Sequence, residues 1–307
     1  MVIFIVITNP LSPPAAPVQG RLQGPPAKSK FLAVSSEMRF FTPSFLPLPI
    51  FLLLFASLTT PRAADMEIRF QSPSGTYTVA QWKKDWPGCG WQDGVEEGNI
   101  SLVDRAGTRY LRVDYQPGKI GPEENGCGWR CPVGTRETAE LRYTVRFSPG
   151  FDWVKGGKLP GLCGGPSNVS GGRPADGTNG FSARLMWRAD GKGEAYLYHM
   201  NQPDRYGDRV PFPDDFRFPT DTTIRVRMQV TMNEPGRKNG KIQIWIRTGD
   251  DETAPEREVV HRTDLEWRSV PTFGIDSLYF ETFYGGSEKS WAPQKATWAE
   301  FGEISVR

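Results

Sequence analysis

Histidine is almost missing from these 307 residues: His199 and His261 are the only two. Cysteine is scarce as well, with four (Cys89, Cys127, Cys131 and Cys163), and Cys127-Gly-Trp-Arg-Cys131 lacks the spacing of a zinc knuckle. No metal or other cofactor is expected. Neither sign of charge dominates, since 37 basic residues meet 35 acidic ones for a formal +2. Without a global basic field, nucleic acid is not an expected partner, and any anion recognition has to be local. The chain has no Gly-x-Ser-x-Gly elbow, no Ser/His/Asp arrangement and no Glu-x-Asp-x-x-Glu run. Nothing therefore supplies the two carboxylates across a cleft that glycoside hydrolysis ordinarily needs. Internal repeats and helical periodicity are also lacking, which argues against solenoids and coiled coils.

A membrane-spanning apolar run is lacking too. The uninterrupted stretch from Ile50 to Leu58 falls short of the roughly 20 residues a span requires. Residues 38–64 instead have the layout of a secretory signal: Arg39, an apolar run broken by Pro47 and Pro49, then small residues with cleavage expected between Ala56 and Ala64. Residues 1–37 are Pro-rich and sparsely charged. The sequence thus predicts an N-terminal extension and signal over 1–64, one β domain over 65–307, and a secreted, extracellular product without a lasting membrane anchor. Removing 1–64 takes away five basic residues and one acidic, leaving 32 against 34, about −2. In an exported chain the even cysteine count predicts two disulfides, with three connectivities open. Asn99-Ile-Ser and Asn168-Val-Ser are glycosylation sequons. Oligomeric state leaves no signature.

What the chain does have is alternation. TAELRYTVRF (138–147), TIRVRMQV (223–230) and KIQIWIR (241–247) put apolar residues on one side and charged ones on the other. In the second of these Ile224, Val226, Met228 and Val230 point inward. EIRF (67–70), RYLRVDY (109–115), VVHRTDLEW (259–267), SLYFETFYGG (277–286) and WAEFGEISVR (298–307) are further strands. Residues 81–99, 116–136 and 201–221 read as long loops, the second stapled around Cys127 and Cys131. About eleven strands predict an all-β fold, a jelly-roll-like sandwich of two antiparallel sheets with long loops.

The residues with chemistry in them fall between Trp153 and Met200. Ser182 and Arg184 share one face of a strand, Tyr196 and Tyr198 share a face of the next, and Lys158 lies upstream among glycines. Taken singly, a strand arginine is a solvated group, Tyr-x-Tyr is cross-strand packing and Gly-Gly-Lys is a turn. Together they suit β-elimination on a uronic acid. That reaction removes the proton alpha to the sugar carboxylate and expels the glycosidic oxygen beta to it. Lys or Arg neutralises the carboxylate and stabilises the enolate-like intermediate, and a tyrosine moves a proton.

The segments K-G-G-K-L-P-G-L-x-G-G (155–165), F-S-A-R-L-M-W-R (181–188), Y-L-Y (196–198) and F-E-T-F-Y-G-G (280–286) resemble polysaccharide lyase family 14, over roughly Glu140 to Arg307. The resemblance implies a β-jelly roll with its cleft on a concave sheet face. It also implies that Lys158, Ser182, Arg184, Tyr196 and Tyr198 are the active-site residues, acting on an acidic polysaccharide such as alginate or a glucuronate chain. Cys163 departs from the pattern, which commonly has an aromatic there, and the Cys127–Cys131 segment lies outside it.

In the resulting scheme Lys158 and Arg184 bind and neutralise the carboxylate and Ser182 orients it. Tyr196 and Tyr198 divide the base and acid duties, and no metal takes part. As surface residues, Lys158 and Arg184 should cost within about 0.5 kcal/mol of stability on replacement by Ala. Trp153, Trp187 and Trp245 are either sugar-stacking rings or core residues. A non-catalytic acidic-glycan-binding module would use the same face without forming an unsaturated product, and a glycoside hydrolase would add a water. The scheme depends on register. A two-residue Asp190-Gly191 turn would put Arg184 and Tyr196 on opposite faces, whereas an odd loop brings all four strand residues together: 189–191 with Gly191 left-handed pairs Arg184 with Tyr196, and 189–193 pairs it with Tyr198.

Overall fold

The computed structural model describes residues 65–307; the expected signal, 38–64, and the rest of the N-terminal extension lie outside the described residues. Fifteen strands are described: β1 (Met66–Ile68), β2 (Gly75–Thr76), β3 (Ile100–Arg105), β4 (Thr108–Tyr115), β5 (Gly126–Arg136), β6 (Thr138–Phe147), β7 (Gly156–Gly164), β8 (Phe181–Arg188), β9 (Gly193–Tyr198), β10 (Asp208–Pro211), β11 (Ile224–Thr231), β12 (Gly240–Thr248), β13 (Arg257–Leu265), β14 (Ile275–Tyr284) and β15 (Thr297–Val306). They form two antiparallel sheets. One has nine strands in the order β13-β12-β11-β6-β15-β4-β3-β2, with β1 also on β15; the other has six, β10-β9-β8-β7-β14-β5. This is the expected two-sheet sandwich.

Alternation places the core. Ile224, Val226, Met228 and Val230 of β11 are buried, as predicted, and meet Leu141, Tyr143 and Val145 of β6. From the six-stranded sheet Phe181, Ala183, Leu185 and Trp187 of β8 and Ala195 and Leu197 of β9 enter the same core. Ser182, Arg184, Met186, Tyr196 and Tyr198 must then point out of the sandwich, because successive side chains alternate. Trp187 is thereby a core residue, packed at 5.2 Å against Tyr284. Trp153 packs on Phe147 and Phe151, and Trp245 lies beneath Arg227 on the other sheet. None of the three reaches the open face of the six-stranded sheet.

Two of the expected loops are structured. Residues 79–85 form a helix, α1 (Val79–Asp85), started by a reciprocal cap: Gln81 N–H donates to the Thr78 hydroxyl and Thr78 N–H to the Gln81 side chain. It buries Trp82 against Trp129. Residues 126–136 are β5, hidden in the sequence by Pro132 and three glycines. As the edge strand beside β14, β5 tolerates a proline that a central strand would not. Short β10 interrupts the third expected loop.

The two-disulfide expectation fails. All four cysteines are thiols. Cys127 and Cys131 lie on one strand, four residues and so about 13 Å apart along it, far beyond disulfide reach. Cys163, opposite Ser277, faces the side of the sheet away from Cys127. Only Cys89 and Cys131 have their thiols in hydrogen-bond contact. At the first sequon, the half-buried Asn99 amide donates to the carbonyls of Glu123 and Gly126 at 2.9 and 3.1 Å.

Candidate active site

The hairpin β8–β9 decides whether a site exists. Arg184 pairs with Tyr196, Ser182 with Tyr198 and Met186 with Glu194. Arg188 N–H donates to the Lys192 carbonyl at 2.7 Å, closing a three-residue loop, 189–191. The odd loop therefore forms, and the four residues share one face. Its shape differs from expectation in one respect: Asp190 (φ 59°) as well as Gly191 (φ 72°) is left-handed, a region aspartate tolerates better than most residues. On the other side of β8, β7 brings Lys158 opposite Met186. A bulge at Pro160 restores the register so that Gly161 lies opposite Arg184. A Cβ at Gly161 would fall 1.9 Å from the Ala183 carbonyl, so this close approach requires glycine. Next along is β14, whose Tyr279, Glu281 and Phe283 complete the face.

Two loops then cover part of it. The segment 165–180 lays Val169 and Ala175 on Met186, Tyr196 and Tyr198. Its backbone takes the polar groups as well. Ser182 Oγ donates to the Val169 carbonyl at 2.7 Å, and Gly172 N–H donates to the Tyr198 hydroxyl at 3.0 Å. From the other side residues 199–207 cross the tyrosine rings, and a Cβ at Gly207 would meet both at 2.9 Å. Ser182 and Tyr198 are consequently buried, while Tyr196 is 8% exposed and Lys158 half-buried.

Arg184 is 1% exposed, not the surface residue that alternation implied. Its guanidinium is paired with Glu281, donates to Ser170 Oγ at 2.8 Å and stacks on the Tyr279 ring at 4.7 Å. Tyr279 in turn donates to Asn168 Oδ1 at 3.2 Å. Much of the positive charge expected to meet a substrate carboxylate is thus already answered from within. The expectation that Arg184→Ala would leave stability untouched is overturned by this burial. Breaking a buried pair from one side strands a charge and costs several kcal/mol.

Lys158 differs. Its Nζ lies 3.0 Å from Met186 Sδ and 4.0 Å from the centre of the Tyr196 ring. No carboxylate among the described residues forms an ion pair with it. Burial, reinforced by the charges of Arg184 and Arg188 and only partly offset by Glu281 and Glu194, holds its ammonium well below the usual lysine range. Tyr196 moves the opposite way. Burial first, then the Tyr198 hydroxyl, pushes its phenol up to about 12, against the Gly207 N–H and Arg184. The face thus holds, in contact, an amine readily found neutral and a phenol that keeps its proton. Burial first, and neighbouring groups second, push the pair toward a base and an acid respectively.

Sequence reasoning did not find Glu281, Ser170, Trp291, Arg188 or Arg209. Glu281 is 97 residues from Arg184, and only its place in F-E-T-F-Y-G-G hinted at it. Glu194 and Glu281, the carboxylates that β9 and β14 place on this face, are each held by arginine, so neither is a free acid or base of the hydrolytic kind.

The family model for polysaccharide lyase 14 matches residues 103–304. The marine PL-14 alginate lyase from Aplysia kurodai superposes with a TM-score of 0.69 at 25% identity, over 80% of this chain and 98% of that one. Alginate lyase Aly36B gives 0.68 at 25% identity, over 79% and 96%. A variant of Aly36B in complex with an alginate tetrasaccharide gives 0.67 at 26% identity, over 79% and 96%. No curated protein matches the chain. The jelly roll and these matches make the protein a polysaccharide lyase. Within that class it belongs to polysaccharide lyase family 14.

Proposed function

We propose that the protein is a secreted polyuronate lyase that cleaves an acidic polysaccharide of alginate or glucuronate type by β-elimination, without a metal. The observation that carries this reading is Lys158 against Tyr196, 4.0 Å from amine nitrogen to ring centre, the amine held below the usual lysine range and the phenol above its own, on a family scaffold whose solved relatives include alginate lyases.

Neutral Lys158 takes the proton alpha to the uronate carboxylate. The electrons of that C–H bond become the new double bond as the C–O bond to the leaving sugar breaks. Tyr196 gives its proton to the departing glycosidic oxygen. The ammonium forms on Lys158 as the carboxylate gains enolate character, so positive charge appears beside negative charge as the transition state is reached. Tyr198 supports Tyr196 through their hydroxyls. Arg184 stabilises the carboxylate side of the site from beneath, and Ser182 holds the 165–180 loop that walls it. On export, Cys89 and Cys131, whose thiols touch, form a single disulfide.

The test is the mass and ultraviolet absorbance of products from a panel of polyuronates, with and without chelator. Unsaturated ends, with no added water and no loss of rate in chelator, are expected. Products heavier by one water would make the protein a hydrolase, and binding without cleavage would make it a glycan-binding module.

A further inference from the structure

Beside the Lys158–Tyr196 pair lies a second cluster that the elimination does not use. Glu194, with its side chain 2% exposed, is shared by two arginines: Arg188 donates at 2.5 Å to one carboxylate oxygen and Arg209 Nε at 2.9 Å to the other. Two guanidiniums on one carboxylate leave a net single positive charge. That charge is open to solvent at Arg209, whose side chain is 63% exposed, while Arg188 is nearly buried. Arg188 also lies over Trp291 at 5.6 Å, and Trp291 is partly exposed in the segment after β14.

The placement is specific. Arg209 is the cross-strand partner of Tyr196 on β9, so both face the same side. Its guanidinium leans back to Glu194, two residues along β9, and so sits a diagonal step, about 7 Å, from the position of Tyr196. Arg188 is close enough to Lys158 to depress its proton affinity. An exposed cation and a ring thus flank the reacting pair along the face, displaced from it by a step. Arg184 does not offer this, because Glu281 already occupies it.

We propose that Arg209, Arg188 and Trp291 form a uronate-binding subsite for the sugar next to the one that reacts. Arg209 meets its carboxylate, Trp291 meets its ring, and buried Glu194 fixes the two guanidiniums. This rests on the polyuronate reading of the face. The subsite holds ground state and transition state alike, so its loss raises KM and leaves kcat in place.

The experiment measures initial rates of wild type, Arg209→Ala, Arg209→Lys and Trp291→Ala on a polyuronate at low salt. For Arg209→Ala a KM at least tenfold higher is expected, with kcat within twofold and Tm within a degree; Arg209→Lys recovers part of the loss, and added salt narrows the gap. Trp291→Ala raises KM with the same unchanged kcat. In parallel, calorimetric binding of a saturated oligouronate is measured in a Lys158→Met background, with and without Arg209→Ala, and affinity should fall tenfold. An unchanged KM and affinity in Arg209→Ala, or a fall in kcat as large as that in kcat/KM, overturns the subsite. Absence of unsaturated product from wild type on every polyuronate sinks the lyase reading instead, and the binding measurement still decides the subsite.

Discussion

On the outer face of the nine-stranded sheet Arg112 lies over Trp298 at 4.3 Å and is paired with Glu300, and Arg227 lies over Trp245 at 3.7 Å and is paired with Glu256. On the outer face of the six-stranded sheet Lys158 lies over Tyr196 at 4.0 Å and Arg184 is paired with Glu281. The side-chain vocabulary is the same: cations on rings, arginines on carboxylates. What differs is cover. Arg142, Arg146 and Arg227 and their carboxylate partners keep part of their surface in water, so those pairs are screened and contribute little each; Glu300, buried beneath Arg105 and Arg112, is the exception on that face. The segments 165–180 and 199–207 shut water from much of the other face, and there the same contacts move protons' affinities and store charge. Burial separates a solvated charge ladder from a site.

The largest effect that separates the two faces should come from Lys158→Met. Turnover should fall at least about a hundredfold, the usual worth of a positioned general base. Stability should move the other way. Because folding lowers the Lys158 pKa below its unfolded value, the folded state carries a charge cost that is full below the lowered pKa and fades as pH rises toward 10.5, where the unfolded chain also loses the proton. The variant should therefore melt higher than wild type at pH 7, and the gain should shrink in alkali. A thermal melt series across pH checks this, and a lower melting point at pH 7 would show that Lys158 is held by contacts rather than strained.

Next in size is the contrast between arginines. Arg184→Ala should destabilise by about 3–5 kcal/mol, since it leaves Glu281 buried without its partner. Arg142→Ala on the other face should cost less than about 1 kcal/mol. Denaturant titration of both variants compares them, and equal losses would show that cover does not separate the two faces. Smaller again, Thr78→Ala should cost about 1 kcal/mol by removing the cap of α1.

The alternating strands were legible because their apolar and polar residues sort by face, as 138–147 and 223–230 show. The odd register of β8–β9 could be argued only from chemistry, since Asp190-Gly191 favours the shorter turn. Strand β5 was not legible: Gly126, Gly128 and Pro132 read as loop, and only its edge position makes them acceptable. The cap Thr78-x-x-Gln81 did announce α1 and is readable in retrospect. The candidate site residues were visible as Ser182-x-Arg184 and Tyr196-x-Tyr198, but the burial of Arg184 was not. Its cause is a loop whose glycines and prolines carry no periodic signal, together with a carboxylate from a distant strand. Alternation reports which face a residue takes, not what lies over that face.

The most direct measurement is the pH dependence of kcat/KM on a polyuronate for wild type and Lys158→Arg. If Lys158 is the base, wild-type activity rises with pH through a value well below the ordinary lysine range and declines only as Tyr196 loses its proton at about 12. Lys158→Arg, whose guanidinium stays protonated throughout, should then be inactive at every pH. A Lys158→Arg variant within tenfold of wild type, with its acid limb unchanged, would contradict this by showing that the position needs only a positive charge.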